Sequence, residues 1–184
     1  EEDIVPLFES QLKLCGVEYF DFYLFHAVNK NSYQKHKRCN SFNIVKKLKE
    51  KNLVVQLGYM YRYNPAVLKC FEHLKNGDLG EIYSINAEMS TYHPVHYKKW
   101  LTNFGGGIMY ILGSHLVDLI VYMLGEPKRV VPFIKRTGLD GVDFEDNNLA
   151  VLEYDKALAR IFVSSVEVNG YGRRQFVVAG SKGT

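Results

Sequence analysis

A chain of 184 residues that is 47% hydrophobic and 23% charged, with a net charge of only +3, has the balance of a soluble globular protein with one substantial core. Its 13 Tyr and 11 Phe favour sheets and concave, ring-lined sites over a coiled coil. A bilayer-spanning helix is excluded, because the most apolar stretch, residues 104–124, is broken by His115, Asp118 and glycines.

In chain order, no signal peptide is expected at Glu1-Glu2-Asp3. Pro6 suits the first turn of a helix that runs to Cys15, with Gly16 as its C-terminal cap. Tyr19-Phe20-Asp21-Phe22-Tyr23-Leu24-Phe25 is a nearly continuous apolar run, as in a strand covered on both faces of a parallel sheet. After a polar loop, Ser41 caps a second helix whose apolar stripe is Phe42, Ile44, Val45 and Leu48. Its basic run, Lys46-Lys47-Leu48-Lys49-Glu50-Lys51, reads as a solvated face rather than a nucleic-acid patch. Leu53-Val54-Val55-Gln56-Leu57 is the next strand.

From residue 58 the texture changes. Asn64 as N-cap and Pro65 at the first helical position start a helix striped with Val67, Cys70, Phe71 and Leu74 and ended by Gly77. Tyr83, Ile85, Ala87 and Met89 then alternate with Ser84, Asn86, Glu88 and Ser90, which predicts a half-buried strand. A long apolar helix is expected over residues 107–124, stopped by Gly125-Glu126-Pro127. Strands follow over residues 129–134, 149–154, 158–168 and 176–179, with Asp155-Lys156 as a hairpin turn. Strands in succession without helices between them imply antiparallel pairing. The expected fold is therefore α+β: a mostly antiparallel open sheet with helices on one face, preceded by a short α/β segment. The predicted division is residues 1–52 and 53–184. The sheet's outer face, carrying Tyr83 or Ser84 according to register, is a candidate surface for a homo-oligomer.

Cys15, Cys39 and Cys70 form neither CxxC nor CxxH, so buried free thiols in a reducing, cytoplasmic setting are the plain reading. His93 and His96 have a spacing some metal sites use, but Pro94 lies between them and nothing completes a ligand set, so no metal is expected. Glu145 and Asp146 read as solvated loop carboxylates.

The run Gly105-Gly106-Gly107-Ile108-Met109-Tyr110-Ile111-Leu112-Gly113-Ser114-His115-Leu116-Val117-Asp118 carries the most chemistry. Glycines let backbone approach a ligand or another strand. The helix they open carries His115, whose imidazole can exchange a proton with a hydroxyl near neutral pH. A buried, hydrogen-bonded histidine in a packed helix is the other reading of the same residues. Arg62 suits an anionic or polyhydroxyl ligand or a structural ion pair, and Trp100 suits a pocket wall or plain packing.

That run resembles the glycine-rich segment and catalytic helix of the Gfo/Idh/MocA oxidoreductases, which read GGG, then Asp-x-Gly-x-His-x-x-Asp. Gly58-Tyr59-Met60-Tyr61-Arg62-Tyr63-Asn64-Pro65 resembles the start of that family's second domain, and Phe144-Glu145-Asp146 and residues 173–184 resemble its later sheet elements. The resemblance implies a sugar or polyol substrate, NAD or NADP as cofactor, His115 as the acid/base, and Arg62, Trp100 and Gly106 lining the substrate site. Ile111 stands where the family has Asp, and neither GxGxxG nor Glu-Lys-Pro occurs in the chain. An incomplete enzyme, inactive as this chain alone, is the expectation. A non-catalytic oligomerisation or ligand-binding module derived from such an enzyme is the alternative.

Residues 9–27 resemble instead a helix and barrel strand of aldo-keto reductases, with His26 at the position of their tetrad histidine. The chain then reads as a fusion of two reductase pieces with a seam between Ser41 and Gly58.

Overall fold

The computed structural model describes residues 4–16, 18, 43 and 59–184. The chain divides into two units, Glu1–Leu57 and Gly58–Thr184. In the first, helix α1 (Ile4–Cys15) ends at Gly16, whose φ of 66° is left-handed and whose N–H donates to the Lys13 carbonyl at 3.2 Å. This is the helix and glycine cap the sequence implied. The strand expected at residues 19–25, His26, the helix after Ser41 and the strand at residues 53–57 lie outside the described residues, and with them Cys39. Cys15 is exposed rather than buried, and Cys70 is half-buried, its thiol pushed up from its ordinary pKa by burial; both are free.

The second unit opens with a 3-10 turn, Met60–Tyr63, and helix α2, Pro65–Asn76. The Asn64 side chain accepts from the Ala66 N–H at 2.9 Å, and Gly77 closes the helix in a left-handed conformation. Strand β1 (Ile82–Ser90) follows, then helix α3 (Val95–Leu101), a π-helical segment (Met109–Gly113) and helix α4 (Ser114–Leu124). Strands β2 (Arg129–Lys135), β3 (Asn147–Glu153), β4 (Leu158–Ser164) and β5 (Gln175–Gly180) complete the unit, with a 3-10 turn, Gly170–Arg173, before β5.

The five strands form one sheet in the order β2-β3-β4-β1-β5. β2, β3 and β4 run antiparallel in succession, as strands without intervening helices should. β1 is separated from β4 by helices and pairs with it in parallel, and β5 adds antiparallel to the other side of β1. The result is a mixed open sheet in an α+β fold.

Register places Leu152, Ala159, Ile85 and Val178 in one row across the sheet, with Ala150, Ile161 and Ala87 in the next. These residues are buried against Leu116 and Ile120 of α4, which lie one helical turn apart.

The alternation read for β1 holds at Ile85, Ala87 and Met89 and fails at both ends. A register shift between Ile82 and Ser84 takes Tyr83 out of the pattern, leaving it 55% exposed. Glu88 and Ser90, expected to be wet, are buried, because the Gly170–Arg173 turn packs over them. Arg173 pairs with Glu88 at 3.2 Å, and a Cβ at Gly170 would stand 3.0 Å from Ser90.

Pro94 is the extended residue that precedes α3, where its missing N–H is harmless. One further expectation is corrected. Asp146 is not solvated: it is buried and accepts from the Thr137 N–H at 2.9 Å and the Thr137 hydroxyl at 2.6 Å. Among the described residues, no helix is long and apolar enough to cross a membrane.

Candidate functional site

The glycine run is explained first by packing. Gly107 has φ 56°, and a Cβ there would meet the Glu145 Cβ at 2.4 Å and its carbonyl oxygen at 2.7 Å. The same carbonyl accepts from the Ile108 N–H at 2.9 Å, so the start of the helix is tied to the loop before β3. Gly106, also left-handed at φ 91°, would meet Tyr110 at 2.8 Å.

The helix then widens into the π-helical segment, one turn before His115. Such segments are uncommon and are often found at functional sites. Ile111, at the position where an aspartate was expected by resemblance, packs half-buried against the core. Gly113 allows the close approach: a Cβ there would stand 2.2 Å from the Met109 sulfur and 3.7 Å from Val163 of β4.

His115 stands between two tyrosine rings in edge-on contact, Tyr59 at 5.8 Å and Tyr61 at 5.3 Å between centroids. Its Nδ1 is buried and has no hydrogen-bond partner among the described residues. A packed structural histidine would bond that nitrogen. Burial holds the imidazole below its ordinary pKa; the Asp118 carboxylate opposes this and Arg174 adds to it. His115 is therefore neutral at physiological pH and able to accept a proton.

One turn further along α4, Asp118 receives Arg62 in a two-pronged pair, from Nε and Nη2 at 2.6 Å each. The guanidinium also lies over the Tyr122 ring at 5.0 Å. Arg62 is thus both an ion-pair partner and part of a cleft wall. That cleft, of about 410 Å³, is lined by Tyr59, Arg62, Met109, Ser114, Val117, Asp118 and Val121.

The sequence-predicted residues are only partly gathered. Arg62 pairs with Asp118, three residues along α4 from His115, and its chain neighbour Tyr61 touches the His115 ring. Trp100 belongs to a separate run of rings: His93 touches Tyr97 at 4.7 Å, Tyr97 touches Trp100 at 5.4 Å, and Trp100 touches Phe104 at 4.8 Å. His96 is exposed on α3.

Two residues escaped sequence reading, and a third, His93, was read only for its spacing to His96. Lys98 is only 1% exposed and pairs with Asp140, pinning α3 to the 136–146 loop. Tyr61 links the site to Arg174, which donates to its hydroxyl from Nη1 at 3.4 Å. His93 carries a second buried, unpartnered Nδ1 and is also held below its ordinary pKa, by burial first and then by Lys98 and Arg174.

Two imidazoles that fold in neutral form give stability a defined pH dependence. The unfolded chain takes up protons near pH 6.5, the ordinary value, which the folded chain takes up only at lower pH. Stability should fall as the pH drops through that value and level off below the folded values. Urea titrations between about pH 8 and 5 should show this slope, and the His93→Gln/His115→Gln variant should flatten it. An unchanged slope would exclude these residues as its source.

Residues 67–184 match the family model for the GFO/IDH/MocA C-terminal domain. An uncharacterized oxidoreductase of Schizosaccharomyces pombe is 25% identical over 143 residues, covering 74% of this chain and 39% of the relative. The NADP-dependent scyllo-inositol 2-dehydrogenase IolW of Bacillus subtilis is 25% identical over 121 residues, covering 64% and 33%. The chain thus spans well under half the length of these relatives.

Among solved structures, levoglucosan dehydrogenase in complex with NADH and L-sorbose superposes with a TM-score of 0.59 at 21% identity, covering 73% of this chain and 40% of that one. The WlbA dehydrogenase of Bordetella pertussis, in complex with NADH and UDP-GlcNAcA, gives 0.56 at 19%, covering 67% and 39%. At these identities the structures establish a common fold. The family match covers more than half of the chain and contains β1, the glycine run and His115: the chain belongs to the GFO/IDH/MocA C-terminal domain family.

Proposed function

We propose that residues 59–184 form the substrate-holding half of an oxidoreductase acting on a sugar or polyol hydroxyl, with His115 as the proton acceptor. The observation that carries this is the neutral His115 imidazole, flanked by Tyr59 and Tyr61, with a buried Nδ1 that no group among the described residues satisfies. The adjoining cleft, at about 410 Å³, is the size of a sugar-like ligand rather than a dinucleotide. Tyr59 offers it an apolar wall, while Ser114 and the Arg62–Asp118 pair offer hydroxyl-binding groups.

NADP, the cofactor named for IolW, or NAD, whose reduced form is bound in the levoglucosan dehydrogenase structure, would supply the hydride acceptor in such an enzyme. Residues 59–184 do not fit a dinucleotide. The space a pyrophosphate would need at Gly107 is filled by Glu145, and the Ile108 N–H is already bonded to the Glu145 carbonyl. We assign the dinucleotide to an element outside these residues. The family resemblance alone supports Trp100 and Gly106 on the substrate side; Trp100 packs with Tyr97 and Phe104, and Gly106 lies against Tyr110.

The outer sheet face is proposed to pair with a second copy. Phe133, Leu149 and Phe162 share a row there, and Leu158 is 56% exposed beside them.

The test is an NMR titration of the full chain with myo-inositol and D-glucose, reading the Cε1 proton of His115, with mass in solution measured on the same sample. Saturable shifts at His115 are expected. In an assay with turnover, His115→Ala should remove about 10²- to 10⁴-fold of it. A folded chain whose His115 signal ignores every polyol would sink the catalytic reading. The half-buried Ile111 already favours the assembly module as its replacement. A dimer that Leu158→Glu converts to monomer would support the sheet interface.

A further inference from the structure

Among the described residues, Arg62, Arg129, Arg136 and Arg173 each hold at least one carboxylate. Arg160 and Arg174 hold none. Arg160 is exposed on the outer sheet face, over the Phe162 ring. Arg174 is half-buried between the Gly170–Arg173 turn and β5.

The Arg174 guanidinium is fixed in place by three contacts. Nε donates to the Ser90 carbonyl at 3.2 Å, Nη1 donates to the Tyr61 hydroxyl at 3.4 Å, and the Tyr171 ring lies 4.3 Å from Cζ. None of these neutralises its charge. The ring of Tyr61 that receives Arg174 at its hydroxyl receives His115 at its edge. Cation and imidazole therefore flank one tyrosine.

The charges around this point leave Arg174 uncompensated. Asp118, which faces His115 from α4, is engaged by Arg62. Asp140 is engaged by Lys98, which faces His93 from α3. A half-buried cation that is held rigidly, with no anion of its own, is costly to fold and suits a two-pronged oxyanion ligand.

We propose that Arg174 is a specificity-determining residue of the His115 site, selecting sugars that carry an anionic group, a carboxylate or a phosphate. This rests on the reading of His115 as facing a polyhydroxyl ligand. It adds the substrate class: the hydroxyl presented to His115 belongs to a charged sugar, whose oxyanion lies on the far side of Tyr61.

The experiment is a calorimetric titration of the full chain at low salt with D-glucose, D-glucuronate and D-glucose 6-phosphate, repeated on Arg174→Gln, Arg174→Lys and Arg160→Gln. At least one charged sugar should bind roughly tenfold to a hundredfold tighter than glucose. The charged sugar preferred identifies the group as carboxylate or phosphate. That preference should vanish in Arg174→Gln, weaken in Arg174→Lys and survive in Arg160→Gln. Equal binding of all three sugars, or a preference that survives Arg174→Gln, overturns the proposal and leaves the polyol site standing. Failure of every sugar to bind a folded chain overturns both.

Discussion

Asp140→Ala should destabilise the Gly58–Thr184 unit by about 3 kcal/mol, read from the urea midpoint. Lys98 keeps only 1% of its side-chain surface, so deleting its partner strands an ammonium in the interior. The figure is at the low end for broken buried pairs because the Asp140 side is 15% exposed and water can partly take its place. In the unmodified chain the pair gives stability an acidic window. Lys98 holds the Asp140 carboxyl below its ordinary 3.8, so the stability it confers is complete above that value and is lost as pH falls through the lowered one. Lys98→Met/Asp140→Ala should recover much of the loss, since an apolar replacement removes the stranded charge and keeps the packing. A single variant of wild-type stability would mean that the pair is solvated.

Gly107→Ala should cost about 3 kcal/mol, while Gly105→Ala, two residues earlier, should stay within about 0.5 kcal/mol. The difference lies in the surroundings. At Gly107 the left-handed φ of 56° disfavours any side chain, by about 1–2 kcal/mol. The added methyl would also strike the Glu145 backbone, and moving that loop away would break the bond from the Ile108 N–H, about another 1 kcal/mol. At Gly105 nothing lies within 4 Å of the new Cβ. Thermal melts of the two variants provide the comparison. Equal midpoints would show that Gly107 is retained for a ligand and not for packing. A Gly107→Ala chain that folds but melts early should also lose its His115 chemistry, because the start of the helix sets the rotation of everything after it.

The elements that were legible in the sequence are those whose signals are local. Asn64-Pro65 and Gly77 bracket α2 because a cap bonds within three residues and a left-handed turn needs only its own φ. The hairpin at Asp155-Lys156 and the stop at Gly125 rest on the same short reach. His115 could be picked out because its glycine run and helix are contiguous.

The failures involve partners distant in sequence. Lys98 reads as a surface residue until Asp140, on another loop, neutralises it. Glu88 reads as the wet side of a strand until Arg173 arrives from beyond β4. The parallel pairing of β1 with β4 depends on where two intervening strands and two helices leave room. Sequence alone determined where α2, most of α4 and the five strands of the sheet lie, while α3 escaped it. Tertiary structure decided which charges are compensated. Arg174 meets Tyr61 across 113 residues of chain, and no local pattern records whether a cation at that distance finds an anion or is left without one.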